Sequence, residues 1–420
     1  MSSVSERPVG RRSVVTVFYI LAIGSGVMRA ISVTFDVVAL NMLIADPLAF
    51  GFMSQWTSLL VTILLVGVLS VPRRDSSGNR RALGYSLDPD FGRLRVLPRQ
   101  PMLYLLASGA FAGLSTFFYY FLASTSDASV VLPYGQLVIV YLLIGDLIAE
   151  KDTPTVVEIQ SITSVVIGVL LIGATPGGFD LLTLLVVLGP MNISSALYTY
   201  YQRVTKRFEV SPGLRVDSIN MRLWSLFFLN GFFSFMSILV MEDSSWLLMS
   251  EAFLSLLWIM VASSVATFLS LVMYVRALGR GSMAVVNSLA AVSVMLGIPI
   301  TVVGDLFIPG AFGSVTYDML LWILKIFGVG LILIGIVALQ AADVRSLVFI
   351  KVRPQTGDIL PDLYNIKGVE TAAALAGSQD YLLSIKSRSL SKTRTGILKK
   401  VQAIPEVEMI QTLVVLEDYR

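Results

Sequence analysis

Long apolar runs separated by short polar connections fill the first 340 residues of the chain. A helix of about 20 apolar residues is needed to cross a bilayer core of about 30 Å, because each residue adds about 1.5 Å. Ten runs of this kind occur, so the pattern predicts ten transmembrane helices. Their predicted bounds are 14–34, 47–71, 101–123, 128–149, 155–173, 181–201, 219–241, 252–275, 282–304 and 317–340.

The pattern changes near residue 342, where apolar and polar residues begin to alternate as in half-buried strands. "VRSLVFIKVRPQTG", "VETAAALAG", "QDYLLSIKSRS" and "VEMIQTLVVLE" predict four strands. "DILPDLYNIKG" predicts a short helix, and "LSKTRTGILKKVQAIPE" predicts an amphipathic helix with Ile397, Val401 and Ile404 near one face. The order β-α-β-β-α-β predicts an α+β ferredoxin-like domain over residues 343–420.

Composition supports two different surroundings for these two parts. Apolar residues make up 55% of the chain and charged residues 14%. Charged residues number 39 among residues 1–342 and 20 among residues 343–420, which is 11% against 26%. We therefore expect lipid around the helical part, which follows a short cytoplasmic segment at 1–13, and water around the C-terminal domain.

The chain contains no cysteine and no histidine. These absences exclude disulfides, thiolate nucleophiles and imidazole-based metal sites or proton relays. Carboxylate-only metal sites stay open, and no motif places a nucleophile beside a base. We expect a protein that is not an enzyme and that uses no cofactor and no metal.

Lysine and arginine are distributed unevenly among the connections between the predicted helices. The N-terminus and the connections on the same side hold 18 of them, among them Arg203, Lys206 and Arg222. The connections on the other side hold none; they lie around residues 35–46, 124–127, 174–180, 242–251 and 305–316. Because cytoplasmic loops collect positive charge, both termini are predicted to be cytoplasmic in a multi-pass protein of the cell membrane.

Residues 14–173 and 181–340 each contain five predicted helices and have the same length. At an offset of 155 residues, Tyr119 aligns with Tyr274 and Glu150 with Asp305. An odd number of helices in each repeat places the two copies in opposite orientations. This 5+5 inverted repeat is the plan of many secondary transporters and supports alternating access.

Two aligned segments carry a resemblance to a known family. "YYFLASTSDASVVLPYGQLVIVYLLIGDLIAE" and "YVRALGRGSMAVVNSLAAVSVMLGIPITVVGD" each combine small apolar residues with a final acidic residue. With the 5+5 arrangement, residues 14–340 resemble the EamA-type proteins of the drug/metabolite transporter superfamily. Pro133 and Pro299 depart from the family pattern, which often has proline midway along both helices. The resemblance implies a carrier of small molecules.

Two cations lie deep within predicted helices, Arg29 in the first and Lys325 in the last. An ionisable group in the hydrocarbon costs about 2.5–3.5 kcal/mol on insertion scales and persists mainly when it is paired or faces a wet cavity. A substrate carboxylate or phosphate would pair with either cation. Alternatively, Arg29 extends to the outer surface, and Lys325 pairs with a structural carbonyl or carboxylate.

Uncharged polar residues within the helices are the other candidates for a substrate cavity. We favour four of them, namely Tyr134, Gln136, Asn192 and Asn287. Lipid cannot satisfy such groups, so they are expected to face protein or a cavity. Hydrogen bonding between helices is the competing interpretation. Tyr198, with its neighbouring tyrosines, is interpreted as part of an interfacial aromatic belt.

Asp146 and Glu150 are candidates for proton coupling, which needs a carboxylate whose pKa is raised by burial. Glu150 ends its predicted helix, and Asp146 lies one turn earlier. The alternative is that both carboxylates lie at the membrane interface.

The C-terminal domain carries a second resemblance. "VFIKV", the turn "GSQD" leading into "YLLSI", and "IPEVEMIQTLVVL" resemble the effector-binding domain of the Lrp/AsnC family, also called the RAM domain, over residues 346–418. The resemblance implies a homodimer and an amino-acid-like effector bound near the turn, with Gly377, Asp380 and Thr412 as candidate contacts. Gly377 would equally serve a tight turn without a ligand. No helix-turn-helix precedes the domain, so no nucleic-acid binding is expected.

Together these features predict a secondary transporter that moves a small metabolite, with an amino acid or derivative as the preferred substrate. The C-terminal domain would bind an amino acid and adjust transport. The alternative is a membrane-tethered small-molecule sensor or interaction protein without transport. Movement of lipid-like substrates is a third possibility, and it would predict fewer polar groups at the midplane.

Overall fold

The structure is a computed structural model. It describes residues 11–74, 80–125, 135–150, 156–172, 185–211, 214–281, 283–311, 318–341, 344–354, 357–366, 369–376, 380–387 and 397–414. The chain divides into two compact units. We call the larger one, formed by Val14–Asp152 and Ile162–Ile336, the helical unit. The smaller one includes the C-terminal chain from Val337 onward.

Helices α1 to α11 account for most of the residues before the C-terminal sheet. They are α1 Arg11–Met42, α2 Pro47–Leu69, α3 Arg99–Thr125, α4 Val138–Glu150, α5 Val156–Ile172, α6 Asn192–Arg207, α7 Ser218–Val240, α8 Asp243–Leu278, α9 Met283–Ala290, α10 Val292–Phe307 and α11 Met319–Ala341. Two short antiparallel hairpins lie in the connections, β1 Pro72–Arg74 with β2 Arg80–Ala82, and β3 Glu209–Ser211 with β4 Leu214–Arg215.

Each of the ten predicted membrane segments overlaps at least one of these helices. Among the described residues, six stretches are long and apolar enough to cross a membrane. They are Thr16–Met42, Pro47–Leu69, Arg99–Tyr120, Ser218–Val240, Asp243–Leu278 and Met283–Gly304. Two shorter apolar stretches are Ile159–Ile172 and Met319–Gly335. These six candidate spans in the described part of the chain suggest a membrane protein.

The predicted ends of the first and eighth segments were wrong. Helix α1 continues to Met42 rather than ending at residue 34, and α8 begins at Asp243 rather than at 252. No glycine or proline lies between residue 34 and Asp46, which caps α2 by accepting hydrogen bonds from the Leu48 and Ala49 amides. The two connections predicted at 35–46 and 242–251 are therefore largely helical.

The sixth predicted segment contains a kink at a proline. Pro190 lacks an N–H, so the chain widens into a π-turn over Val187–Met191 before α6 begins. The side-chain amide of Asn192 donates to the Val187 carbonyl at 2.7 Å, which also accepts the backbone N–H of Asn192. The side chain thus reinforces the backbone bonding at the kink.

Close helix contacts in the helical unit depend on small residues. A Cβ atom on Gly168 of α5 would lie 2.5 Å from the carbonyl oxygen of Gly328 in α11, and one on Gly328 would lie 2.6 Å from that of Gly168. Gly109 and Gly113 of α3 meet α7 equally closely. Such contacts let backbones approach where lipid offers no hydrophobic driving force.

The C-terminal unit contains a four-stranded antiparallel sheet in the order β6-β7-β5-β8. Its elements are β5 Val344–Val352, helix α12 Leu360–Asn365, β6 Val369–Ala374, β7 Tyr381–Ser387, helix α13 Lys399–Gln402 and β8 Val407–Val414. The order β-α-β-β-α-β with the first and third strands in the middle is consistent with the predicted ferredoxin-like fold.

The core of this unit is formed by alternate residues of the two central strands and by the helices that face them. Val348 and Ile350 of β5, and Leu383 and Ile385 of β7, are fully buried. Ile397 and Val401 are buried against the same core, and Ile404 is half-buried. The face predicted for the amphipathic helix is therefore the one that packs inward.

Candidate functional site

The helical unit contains a partly open cavity of about 260 Å³. Its walls come from α1, α2, α3, the segment around Gln136, α6, α7, α8 and α9. The volume lies just below the roughly 300–1,000 Å³ of pockets that hold drug-sized ligands. The cavity therefore has the size for a small metabolite.

Helix α1 presents one polar stripe to the cavity. Ser25, Arg29, Ser32 and Asp36 all line it and follow one another at intervals of four, three and four residues. Residues at these intervals share one face of a helix. The stripe runs through a helix that is otherwise apolar enough to span a membrane.

Helix α8 carries a matching stripe with the same spacing, formed by Ser263, Thr267, Ser270 and Tyr274. The hydroxyl of Ser263 lies 2.9 Å from that of Ser32, and the hydroxyls of Ser32 and Thr267 are 2.5 Å apart. These hydrogen bonds join the α1 and α8 stripes along the cavity wall.

Ser270 extends the contact between the two stripes toward the other end of the wall. Its hydroxyl donates to the backbone carbonyl of Ser25 at 2.8 Å. The α1 and α8 stripes therefore meet at both ends of the Ser25–Ser32 stretch.

Three charged side chains line the cavity, Arg29, Asp36 and Arg222. Asp36 accepts a hydrogen bond from Ser263 at 2.8 Å. Arg222 in α7 is 5% exposed, and its Nε has no hydrogen-bond partner. Within the described chain neither arginine forms a hydrogen bond or an ion pair, and Asp36 has no ion-pair partner. The cavity thus presents two guanidinium groups and one carboxylate without charged partners.

Tyrosines connect the charged groups to the rest of the wall. Tyr274 lies 3.0 Å from the Thr199 hydroxyl and accepts a hydrogen bond from the Asn287 amide at 2.7 Å. Tyr198 lies within electrostatic reach of both Arg29 and Arg222. The prediction that Tyr198 belongs to an interfacial belt was therefore wrong, because α6 turns this residue toward the cavity.

The structure brings together four of the six residues predicted for a substrate cavity. Arg29, Gln136, Asn192 and Asn287 line the cavity from four different parts of the chain. Lys325 in α11 does not line it. The binding of substrate by the four remains a prediction.

Three other predicted residues lie partly or wholly outside the described structure. Tyr134 belongs to a segment outside the described residues. Asp146 and Glu150 lie on α4, but their side chains are outside the described set. Their predicted roles in substrate binding and proton coupling stay predictions.

Sequence reasoning missed Asp36, Arg222 and the serines of the two stripes. Asp36 was assigned to an outer connection and Arg222 to a cytoplasmic one. The available signal was the repeated spacing of polar residues, four, three and four, within two otherwise apolar helices. That spacing marks a single helical face directed away from lipid.

A second polar cluster lies at the connection between α2 and α3. The ammonium of Lys206 in α6 contacts Asp88 at 3.1 Å and Asp90 at 2.9 Å, and it donates to the Val216 carbonyl at 2.8 Å. The Ser218 amide donates to Asp88 at 2.7 Å. Lys206 was predicted in a loop, but α6 extends to Arg207 and holds it buried.

Charge pairing controls the protonation of Asp88. Burial alone would raise the pKa of this carboxyl. The ammonium of Lys206, with hydrogen bonds from Ser218 and Asp90, instead holds the pKa below its usual value. Asp88 is therefore a stable anion that binds the connection to α6.

In the C-terminal unit, Asp380 has a structural contact. Its carboxylate accepts a hydrogen bond from the Val352 amide at 2.8 Å, which ties the turn before β7 to the end of β5. Thr412 lies on β8 opposite Val348 and is half-buried. Gly377 lies outside the described residues. Effector binding by these three residues stays a prediction.

Comparison with known proteins supports the C-terminal assignment. Residues 346–420 match the family model described as the Lrp/AsnC ligand binding domain. The predicted Lrp/AsnC domain is therefore confirmed, and the match suggests amino-acid sensing by this part of the chain. No curated protein sequence matches the chain.

A solved crystal structure of a protein is similar in fold, with a TM-score of 0.51 and 14% sequence identity. The match covers 76% of this chain and 96% of the other. A match of that extent must include most of the helical region, because the C-terminal domain is less than a fifth of the chain. At this identity the similarity shows the fold alone.

Proposed function

We propose that the protein is a secondary transporter that moves a small metabolite, preferably an amino acid or derivative, across the cell membrane by alternating access. The observation that carries the proposal is the polar, charged cavity within apolar helices. Intramembrane charges are costly and persist where they face a wet path or a ligand. The polar lining argues against lipid-like substrates and against a helical region with a fully packed interior.

The cavity lining also supports the proposed 5+5 inverted repeat with ten membrane crossings. Several residues that line it fall into pairs separated by 155 positions, one member in each proposed repeat. These pairs are Ala112 with Thr267, Ser115 with Ser270, Thr116 with Leu271, Tyr119 with Tyr274 and Gly135 with Ala290. Two repeats that supply equivalent positions to one cavity can exchange conformations and open it to either side.

The proposed role of the C-terminal domain is to bind an amino acid in the cytoplasm and adjust transport. The Lrp/AsnC match over residues 346–420 supports this role. Regulation would require the effector to bind one state of the carrier more tightly than the other, because equal affinities shift no equilibrium. We further propose that this domain forms a homodimer, that both termini are cytoplasmic, and that the protein has no enzymatic activity.

The same match gives weight to the alternative of a membrane-tethered sensor without transport. The two functions differ in one measurable property, the exchange of solute across a membrane. The full-length protein in proteoliposomes should catalyse counterflow of at least one radiolabelled amino acid from a panel of twenty. An amino acid that binds the protein while none exchanges would favour the sensor.

A further inference from the structure

The three charged groups of the cavity indicate a narrower class of substrate than the small metabolite of the proposed function. Arg29 and Arg222 contribute two positive charges and Asp36 one negative charge. None of the three has a charged partner among the described residues. Arg222 is buried, Asp36 is half-buried, and Arg29 is exposed where it lines the cavity. A charge within apolar helices that has no partner is costly, so the missing partners are expected on the ligand.

The groups are arranged in an order along the cavity. Tyr119 lies within electrostatic reach of both Asp36 and Arg29, and Tyr198 within reach of both Arg29 and Arg222. Asp36 is seven residues beyond Arg29 on the same face of α1, which is about 10 Å along the helix axis. Asp36 lies in the last turns of α1, near the connection to α2, whereas Arg222 lies near the start of α7, which Trp224 ties to the α2–α3 connection at the other end of α2. The Asp36 carboxylate and the Arg222 guanidinium therefore lie toward opposite ends of the cavity, with Arg29 between them.

We propose that the substrate is an acidic amino acid, in which two carboxylates and one ammonium complement these three groups. Guanidinium forks bind carboxylates in bidentate geometry, so Arg29 and Arg222 would each hold one carboxylate. Asp36, oriented by Ser263, would hold the ammonium. The net charge of −1 on the substrate matches the net charge of +1 in the cavity.

Other ligand classes leave one of the charged groups without a partner. A neutral amino acid has a single carboxylate and would leave one guanidinium unpaired. A dicarboxylate without an amine would leave Asp36 without a cation. Sites that hold charged groups for a ligand reject analogues that lack the complementary group, because the site group is then buried and unpaired.

This inference rests on the proposed function, and its test separates the two. Full-length protein in proteoliposomes would be assayed for counterflow of radiolabelled L-glutamate, with L-glutamine, 4-aminobutyrate and glutarate as competitors. We expect glutamate to compete best, and each analogue, which lacks one charged group, to compete roughly tenfold more weakly or worse.

Substitutions of the three cavity residues test which charged group of glutamate each of them binds. Arg222→Gln and Arg29→Gln should weaken glutamate counterflow roughly tenfold or more, while Arg222→Lys, which keeps the charge, should retain the preference for glutamate over glutamine. Asp36→Asn should reduce the preference for glutamate over glutarate. Arg215→Gln removes an exposed charge of the β4 strand and serves as the matched control.

Three results would decide the matter. Loss of glutamate counterflow in the two glutamine variants, with full activity in the Arg215→Gln control, supports the inference. Counterflow of neutral amino acids that is as strong as that of glutamate and insensitive to Arg222→Gln overturns it but leaves the transporter in place. Absence of counterflow for every amino acid in the wild-type protein overturns both.

Discussion

The ammonium of Lys206 lies 3.1 Å from the carboxylate of Asp88, and the side chains are only 7% and 2% exposed. This pair joins the end of α6 to the connection between α2 and α3. Lys206→Met should destabilise the protein by about 3–5 kcal/mol, because it leaves the Asp88 charge buried and uncompensated. Thermal unfolding in detergent measures the effect. Asp90→Asn, at a more exposed carboxylate, is the control and should cost less; equal losses would contradict this account.

Because the pKa of Asp88 is lowered in the folded protein, the stability of the protein should fall at acidic pH. The folded pKa lies below the unfolded value of about 3.9, so the unfolded state binds more protons between the two values. The stabilisation is fully present above the unfolded pKa and is lost as the pH falls through the folded pKa. The melting temperature of the wild-type protein should therefore fall more steeply between about pH 5 and pH 3 than that of Asp88→Asn. Parallel curves would show that the pair contributes nothing to acid sensitivity.

The contact between Gly168 and Gly328 predicts a position-specific effect of a single methyl group. Gly168→Ala should lower the melting temperature, because the added Cβ would lie 2.5 Å from the Gly328 backbone oxygen and would push α5 and α11 apart. Gly330→Ala is the matched control, since a Cβ at that position meets nothing within 4 Å. The control should be neutral or stabilising by up to about 1 kcal/mol through helix propensity. A similar fall in both variants would be inconsistent with the close packing.

Asp380 is expected to hold the C-terminal sheet together whether or not it contacts an effector. Asp380→Ala removes the acceptor of the Val352 amide and should weaken this part of the sheet by about 1–3 kcal/mol. Hydrogen exchange of the full-length protein should show faster exchange at Val352, and Asp362→Ala at an exposed position of α12 should not. Unchanged exchange together with lost amino-acid binding would instead identify Asp380 as a ligand contact.

Much of the secondary structure was predictable from local sequence patterns. A membrane requires long apolar segments, and a half-buried sheet requires alternating apolar and polar residues. The alternation from Val344 predicted β5, and apolar length predicted the segments that α1 to α11 overlap. Helix ends were less predictable, because polar residues such as Asp36 can continue a helix when their partners come from another helix. Ser263, which hydrogen-bonds Asp36, is more than 200 residues away in the sequence.

The candidate site was predictable only in part, because it too depends on contacts between residues that are far apart in the sequence. Arg29, Gln136, Asn192 and Asn287 were conspicuous as polar residues inside apolar segments. Arg222 was not conspicuous, because a cation near the end of a predicted helix is also typical of a cytoplasmic loop. Its burial depends on how α7 packs, which no local pattern specifies.

The central claim is that the cavity opens alternately to the two sides of a membrane, and the absence of cysteine from the chain allows a direct test. Ser195 lines the cavity and is half-buried, whereas Ser250 is an exposed residue of α8 outside it. The rate at which Ser195→Cys reacts with a membrane-impermeant thiol reagent would be measured from each side of proteoliposomes, with Ser250→Cys as the control. Alternating access predicts that Ser195→Cys reacts from both sides, at rates that glutamate changes, while Ser250→Cys reacts from one side regardless of glutamate. Reaction of Ser195→Cys from one side only, with rates insensitive to every amino acid, would contradict the account.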